Sequence, residues 1–120
     1  VNEAYATLNK PLARALYLLE LAGMSQEQIS AEPVDGGFLI EQMELREKLE
    51  SIHGMVDPDT VLDHLVTEIS ADISNHQEEF SAGYNDGDLD AAASACIKMQ
   101  YLEKLLLEAE QIESELMDNV

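Results

Sequence analysis

The sequence has little of what a disulfide-linked or membrane-spanning protein needs. Its single cysteine, Cys96, excludes an intrachain disulfide and favours a reducing compartment. No apolar run approaches the roughly 18 residues of a membrane-spanning helix, so we expect no membrane segment. The chain begins at Val1, without Met and inside a helical pattern, which predicts that the natural N-terminus lies upstream.

Basic residues are also scarce, because six Lys and Arg stand against 25 Asp and Glu and give a net charge of −19. An acidic surface repels the phosphates of nucleic acid and the headgroups of an anionic membrane. It complements a basic partner. Solubility alone explains much of the total charge, since an acidic surface keeps a small protein dispersed. We therefore expect a protein partner with basic groups, no nucleic acid and no membrane.

Aromatic residues make up only 5% of the chain and Trp is absent, whereas 46% of the residues are hydrophobic. That hydrophobic share is enough for a folded domain. Ala, Leu, Glu and Met are common and favour helix over sheet. No stretch alternates in the manner of a strand. The composition therefore predicts an all-α fold.

The first part of the chain reads as two helices and a linker. Residues 2–8 resemble the end of a helix, and Asn9-Lys10-Pro11 is expected to break it. A second helix is predicted to begin at Pro11, which suits a first turn, and to end at Gly23. Residues 24–36 lack periodicity and contain Pro and Gly, which is typical of a linker.

Three longer helices follow, and short turns join them. They are predicted over about residues 37–53, from Pro58 with Asp57 as N-cap to about Ala82, and from Asp88 to near Asp118. On the last helix a heptad seam is formed by Ala92, Ala95, Met99, Leu102, Leu106, Ala109 and Leu116. Helices joined by short turns predict an antiparallel three-helix bundle, preceded here by the two shorter helices.

No catalytic, cofactor or metal site is predicted. Glu50-Ser-Ile-His53 has the Glu-x-x-His spacing of di-iron bundles, but that chemistry needs a second copy and two further glutamates. Neither His64 nor His76 has a Glu three residues earlier, so a solvated pair at a helix end explains the motif. A bundle metalloenzyme is the alternative of a different class, and the missing ligands argue against it.

Two further motifs have structural explanations. Asp86, Asp88 and Asp90 alternate like the start of an EF-hand loop, but Gly87 and Ile97 occupy positions two and twelve, where the motif needs other residues. Helix capping explains these aspartates. Cys96 lies near the apolar seam, far from any His in sequence, and is expected to be buried and unreactive.

The helix over residues 37–53 carries two apolar faces. At about 100° per residue, Phe38, Leu45, Leu49 and Ile52 lie within about 60° of one another and form a core stripe. Leu39, Ile40 and Met43 lie roughly opposite, with Glu47 and Ser51 among them and Glu44 on the flank. An edge helix buries only one face. The second face therefore packs on the linker and N-terminal helices, or it binds a partner.

On the last helix, Tyr101, Leu105 and Ile112 lie off the heptad seam. A helix that touches two neighbours has a broad buried stripe, so these positions are mostly core. Tyr101 is the one best suited to a partly wet position, because its hydroxyl group can stay in water.

Three segments resemble the J-protein co-chaperones of the HscB type. They are Val1–Leu8 with Pro11–Leu19, the signature Phe38-Leu-Ile-Glu-Gln-Met-Glu-Leu-Arg-Glu-Lys-Leu49, and the stretch from Asp90 through Tyr101 to Glu113. The signature is the most specific of the three. The resemblance implies the last helices of a J-domain over residues 1–22, a linker over 23–36 and a three-helix scaffold-binding domain over 37–118. It also implies a bacterial cytoplasmic location.

In the HscB family, the C-terminal domain binds IscU, the scaffold on which iron–sulfur clusters are built. The J-domain recruits the chaperone HscA and stimulates its ATPase. The resemblance places scaffold contacts on Leu39, Ile40, Met43, Glu44 and Glu47, on Tyr101 where the family usually has Phe, and on Ser51 where it usually has an acidic residue. A plain structural or oligomerisation module, in which this face pairs with itself, is the alternative.

J-domains stimulate their chaperone through a His-Pro-Asp loop, which this chain lacks. Asp57-Pro58-Asp59 is the nearest match, and it lies in the other domain. We therefore expect the chain to bind the scaffold without stimulating the ATPase.

Overall fold

The computed structural model describes the backbone of residues 2–118 and the side chains of residues 12–118. The regular elements within that part of the chain are all helical: α1 Asn2–Leu21, α2 Gln26–Ser30, α3 Gly36–Glu50, a 3-10 helix Ile52–Gly54, α4 Pro58–Asn85 and α5 Leu89–Asp118. The predicted all-α class is confirmed. None of the described helices is long and apolar enough to cross a membrane.

The break predicted at Asn9-Lys10-Pro11 is not present, because α1 continues through Pro11 as one helix instead of two. A proline inside a helix removes one backbone hydrogen bond and costs about 3 kcal/mol. Burial of the residues that follow offsets this cost, since Leu12, Ala15 and Leu19 all lie in the core. The local rule for proline was therefore outweighed by tertiary packing.

The stretch predicted as a linker contains the short helix α2. The Ser25 backbone N–H donates to Gln28 Oε1 at 2.8 Å, and the Gln28 N–H donates to Ser25 Oγ at 3.1 Å. These reciprocal bonds form a capping box, and Ile29 anchors the helix in the core. Five residues are too few to show periodicity, which is why the helix was missed. That residues 23–36 separate two domains stays a prediction.

Aspartates begin the three long helices of the bundle. The Phe38 N–H donates to Asp35 Oδ2 at 2.9 Å at the start of α3, and the Ala91 N–H donates to Asp88 Oδ1 at 3.1 Å at the start of α5. Asp57 caps α4 as predicted. Helix α4 runs three residues past the predicted Ala82, to Asn85. Side-chain oxygens at these N-caps satisfy N–H groups that have no partner within the helix.

The direction of the helices follows from ion pairs between α3 and α5. These pairs are Asp35–Lys98 at 3.3 Å, Arg46–Glu108 at 3.2 Å and His53–Glu115 at 2.9 Å. Residue numbers rise together along both helices, so α3 and α5 run in the same direction. Helix α4, which connects them through short turns, runs the opposite way. This is the up-down-up order of an antiparallel three-helix bundle.

Helix α5 is the centre of the fold, since it packs against α1, α2, α3 and α4. Its predicted seam is buried except at Leu116, which is half-buried. The predicted stripe of α3 is buried at all four positions: Phe38, Leu45, Leu49 and Ile52. On α4, residues at helical spacing are buried, namely Leu62, Leu65, Ile69, Ile73 and Phe80, and Val66 is half-buried. Helical periodicity therefore located the core correctly.

Gly83, near the end of α4, lies close to the backbone at the start of α5. A Cβ atom there would lie 3.0 Å from the backbone N of Ala92 and 3.2 Å from the backbone O of Asp88. Gly→Ala in a helix is ordinarily stabilising by about 1 kcal/mol. Because backbone atoms block this site, we expect Gly83→Ala to lower the free energy of unfolding by about 1–3 kcal/mol, measured by urea denaturation.

Gly36 provides the matched control, since it lies in the first turn of α3 and no atom is within 4 Å of its added Cβ. Gly36→Ala should leave the unfolding free energy unchanged or slightly higher. Equal stability of the two variants would contradict the close approach at Gly83.

Candidate protein-binding face

The second apolar face of α3 is open to solvent. Leu39, Ile40 and Met43 are 38%, 57% and 63% exposed, whereas the opposite stripe is buried. Glu44 and Glu47 are exposed beside them. We call these five residues the α3 face. Of the two alternatives for this face, cover by the linker or the N-terminal helices is not seen in the described part of the chain, since α1 and α2 pack on α5.

The register of α3 and α5 brings Tyr101 next to this face. His53 and Glu115 are 62 positions apart, and so are Arg46 and Glu108, since 108 − 46 = 62. Leu39 lies two turns before Arg46 on the same side of α3, within about 20° on a helical wheel. The same offset from Leu39 leads to Tyr101, since 39 + 62 = 101. The ion pairs therefore align Leu39 and Tyr101 side by side.

Phe38 connects the two helices beneath the face. Its buried ring meets the Tyr101 ring edge-on, with 6.1 Å between centroids, and the His76 ring of α4 likewise at 5.6 Å. The ammonium of Lys98 lies 5.6 Å from the centre of the Phe38 ring. Edge-on aromatic pairs and cation–π contacts favour one ring orientation. The start of α3, including Leu39, is thereby held against α5, with Tyr101 still 40% exposed.

Charge on the α3 face is negative, with Glu47 among the apolar side chains and Glu44 on their flank. Glu44 and Glu47 are exposed, and the nearby cation Arg46 is engaged by Glu108. An apolar centre with carboxylates beside it complements a surface with apolar side chains and basic groups. Ser51 is exposed next to this face, and its hydroxyl group donates to the Lys48 carbonyl at 3.1 Å. It supplies no charge.

Comparisons with known proteins show which family this chain belongs to. Residues 34–110 match the family described as the HSCB C-terminal oligomerisation domain. The chain belongs to the HscB family. That match contains all of α3 and α4 and most of α5, so it includes the α3 face and Tyr101.

Individual HscB proteins are similar over nearly the whole chain. The co-chaperone HscB homologue of Vibrio cholerae serotype O1 is 36% identical over 120 residues, which cover 98% of this chain and 68% of that protein. The homologue of Shewanella woodyi is 36% identical over 121 residues, covering 98% and 70%. The structure of chaperone HscB from Vibrio cholerae aligns with a TM-score of 0.78 at 36% identity, covering 96% of this chain and 66% of the other. The chain thus spans about two thirds of the length of these HscB proteins.

The residues that the sequence offered as possible catalytic or metal-binding groups have structural roles in the fold. His53 bonds Glu115 at 2.9 Å on the surface, at the end of the helix that carries Glu50. Cys96 is buried as predicted, and burial followed by the nearby Glu103 raises the pKa of its thiol to about 11. A thiol with a raised pKa is mostly protonated at neutral pH, whereas the thiolate is the reactive form. Among the described residues, no three His, Cys, Asp or Glu side chains gather as metal ligands.

Several polar residues of the site region were not singled out from the sequence. Asp35 accepts from the Phe38 N–H and pairs with Lys98, and both lower the pKa of its carboxyl group. Gln42 is buried on α3, and Glu103 is buried on α5, where burial raises its pKa to about 7. Each of these two residues borders an apolar stripe of its helix. The sequence alone does not show whether a neighbouring helix covers such a border position. Asp35 could have been recognised from the sequence as an N-cap, because it is an aspartate three residues before the first core residue of α3, Phe38.

Proposed function

We propose that this HscB-family protein is a co-chaperone that binds the iron–sulfur scaffold IscU and presents it to the chaperone HscA in the bacterial cytoplasm. The scaffold-binding residues are Leu39, Ile40, Met43, Glu44, Glu47 and Tyr101. The observation that carries the proposal is the exposed apolar face of α3, which the bundle leaves uncovered inside the family's own domain. The named relatives are bacterial co-chaperones, and recruitment of HscA is the role that the resemblance implies for the J-domain of the intact protein.

The proposed mechanism is presentation without chemistry. Apolar side chains lose water on docking, which supplies most of the affinity. Glu44 and Glu47 pair with basic groups of the scaffold and select its orientation. Holding the scaffold close to the chaperone raises its effective concentration there. No proton transfer or bond breaking is required of this chain.

Titration calorimetry with IscU tests the proposal. Ile40→Ala and Met43→Ala are each expected to lose about 1–2 kcal/mol of binding, or roughly fivefold to thirtyfold in Kd. Because both side chains are exposed, the melting temperature should stay unchanged.

Met117→Ala is the matched control, since Met117 is as exposed as Met43 but lies at the far end of α5. This variant should bind IscU with unchanged affinity. Unchanged affinity of both α3 variants, with normal melting, would remove the proposed binding face.

Self-association is the second candidate, because the matching family is described as an oligomerisation domain and the α3 face is apolar and exposed. Pairing two such faces would bring Glu44 and Glu47 of both copies together, which is unfavourable for a chain of charge −19. Light scattering after gel filtration separates the two functions. A dimer that Met43→Ala converts to a monomer would assign the face to self-association.

A further inference from the structure

A cleft adjoins the proposed binding face on the other side of Tyr101. It lies between α2 and α5 and has a volume of about 190 Å³. Its lining residues are Ser30, Ile97, Gln100, Tyr101 and Lys104. Leu39 lies on the α3 side of Tyr101, and the cleft lies on its α2 side. The apolar part of the α3 face therefore continues across Tyr101 to the mouth of this cleft. We call this continuous surface, from Ile40 and Met43 through Leu39 to Tyr101, the apolar strip.

Lys104 is the charged group of the cleft. Its side chain is exposed, and its ammonium nitrogen lies 6.0 Å from the centre of the Tyr101 ring. A cation–π contact at this distance holds the ammonium beside the ring. The cation therefore lies beside the Tyr101 ring while its side chain stays exposed to water.

The charge of Lys104 is locally uncompensated. Lys98 pairs with Asp35 at 3.3 Å and Arg46 pairs with Glu108 at 3.2 Å, but within residues 12–118 no carboxylate lies within 4 Å of the Lys104 nitrogen. The chain as a whole has a net charge of −19. Like Arg14 and Lys48, Lys104 thus has no carboxylate within ion-pair distance among the described residues, and it stands next to the proposed binding residue Tyr101.

We propose that Lys104 and the cleft beside Tyr101 form a second subsite, which accepts an aspartate or glutamate side chain of the scaffold. This inference rests on the proposed scaffold binding. The charges are then opposite at the two ends of this surface, with Glu47 within the α3 face, Glu44 on its far flank and Lys104 beyond Tyr101. A scaffold surface with the complementary order, basic then apolar then acidic, docks in one orientation only.

Neutralising Lys104 tests the subsite, because the direction of the change in IscU affinity distinguishes a local contact from long-range attraction. Lys104→Met should weaken IscU binding about threefold to tenfold, and Lys104→Glu should weaken it further. The loss should shrink between about 50 mM and about 300 mM salt, because screening weakens exposed ion pairs. Long-range attraction between an acidic chain and a basic scaffold predicts the reverse, since removing a positive charge would tighten binding.

Arg14→Met removes the same charge from an exposed position of α1 and serves as the control. It should leave the Kd unchanged or slightly lower. Lys104→Met that binds as tightly as the unaltered chain, or more tightly, would overturn the subsite. If Ile40→Ala and Met43→Ala still weaken binding in that case, scaffold binding stands and only the subsite fails. If those variants also bind normally, the proposed function itself fails.

Discussion

Replacing Ile40 and Met43 together with aspartate is expected to weaken IscU binding at least about 100-fold, which corresponds to roughly 2.7 kcal/mol or more. Each substitution removes an apolar anchor worth about 1–2 kcal/mol. Each also places a carboxylate where the scaffold buries apolar surface, and burying a charge without a partner is strongly unfavourable. The two side chains are one turn apart, so both effects act on the same contact.

A matched control for this double variant can be made elsewhere on the surface. Val56 and Met117 are also exposed apolar residues, and replacing both with aspartate adds the same charge away from the α3 face. This control should bind IscU within about twofold of the unaltered chain. Both double variants should melt normally in circular dichroism, since all four side chains are exposed. Equal loss of binding in the two variants would show that total charge, and not the α3 face, governs affinity.

The largest effect on stability is expected from Leu102→Ala. Leu102 is fully buried on α5, the helix that packs against the other four. Its truncation removes buried methyl groups and leaves a cavity that the surrounding helices close only partly. We expect the free energy of unfolding in urea to fall by about 3–4 kcal/mol.

Leu107 on the same helix is 46% exposed and provides the control for this substitution. Leu107→Ala has the same change in side chain and in helix propensity, so the difference between the two variants measures burial alone. We expect its effect to stay below about 1 kcal/mol. A Leu102→Ala variant as stable as Leu107→Ala would mean that α5 is not the centre of the core.

The long helices and their buried stripes were predictable because periodicity is a local property of the chain. Phe38, Leu45 and Leu49 recur at helical spacing, and burial followed that spacing. The predictions were less accurate where local signals conflict or are short. Pro11 signalled a break that packing of α1 overrides, and α2 is only five residues long. The local sequence signal for α2 was the capping-box pattern of Ser25 and Gln28.

By itself, the sequence determined that α3 has two apolar faces, and that only one of them could be core. It also determined the charge of Glu44 and Glu47 beside the second face. Only the tertiary structure decided that this face is uncovered, that Leu39 lies next to Tyr101 and that Lys104 borders the same strip. The reason is physical. A helical wheel gives angles within one helix, whereas neighbours on α3 and α5 depend on the register between them, which core packing and cross-helix ion pairs select.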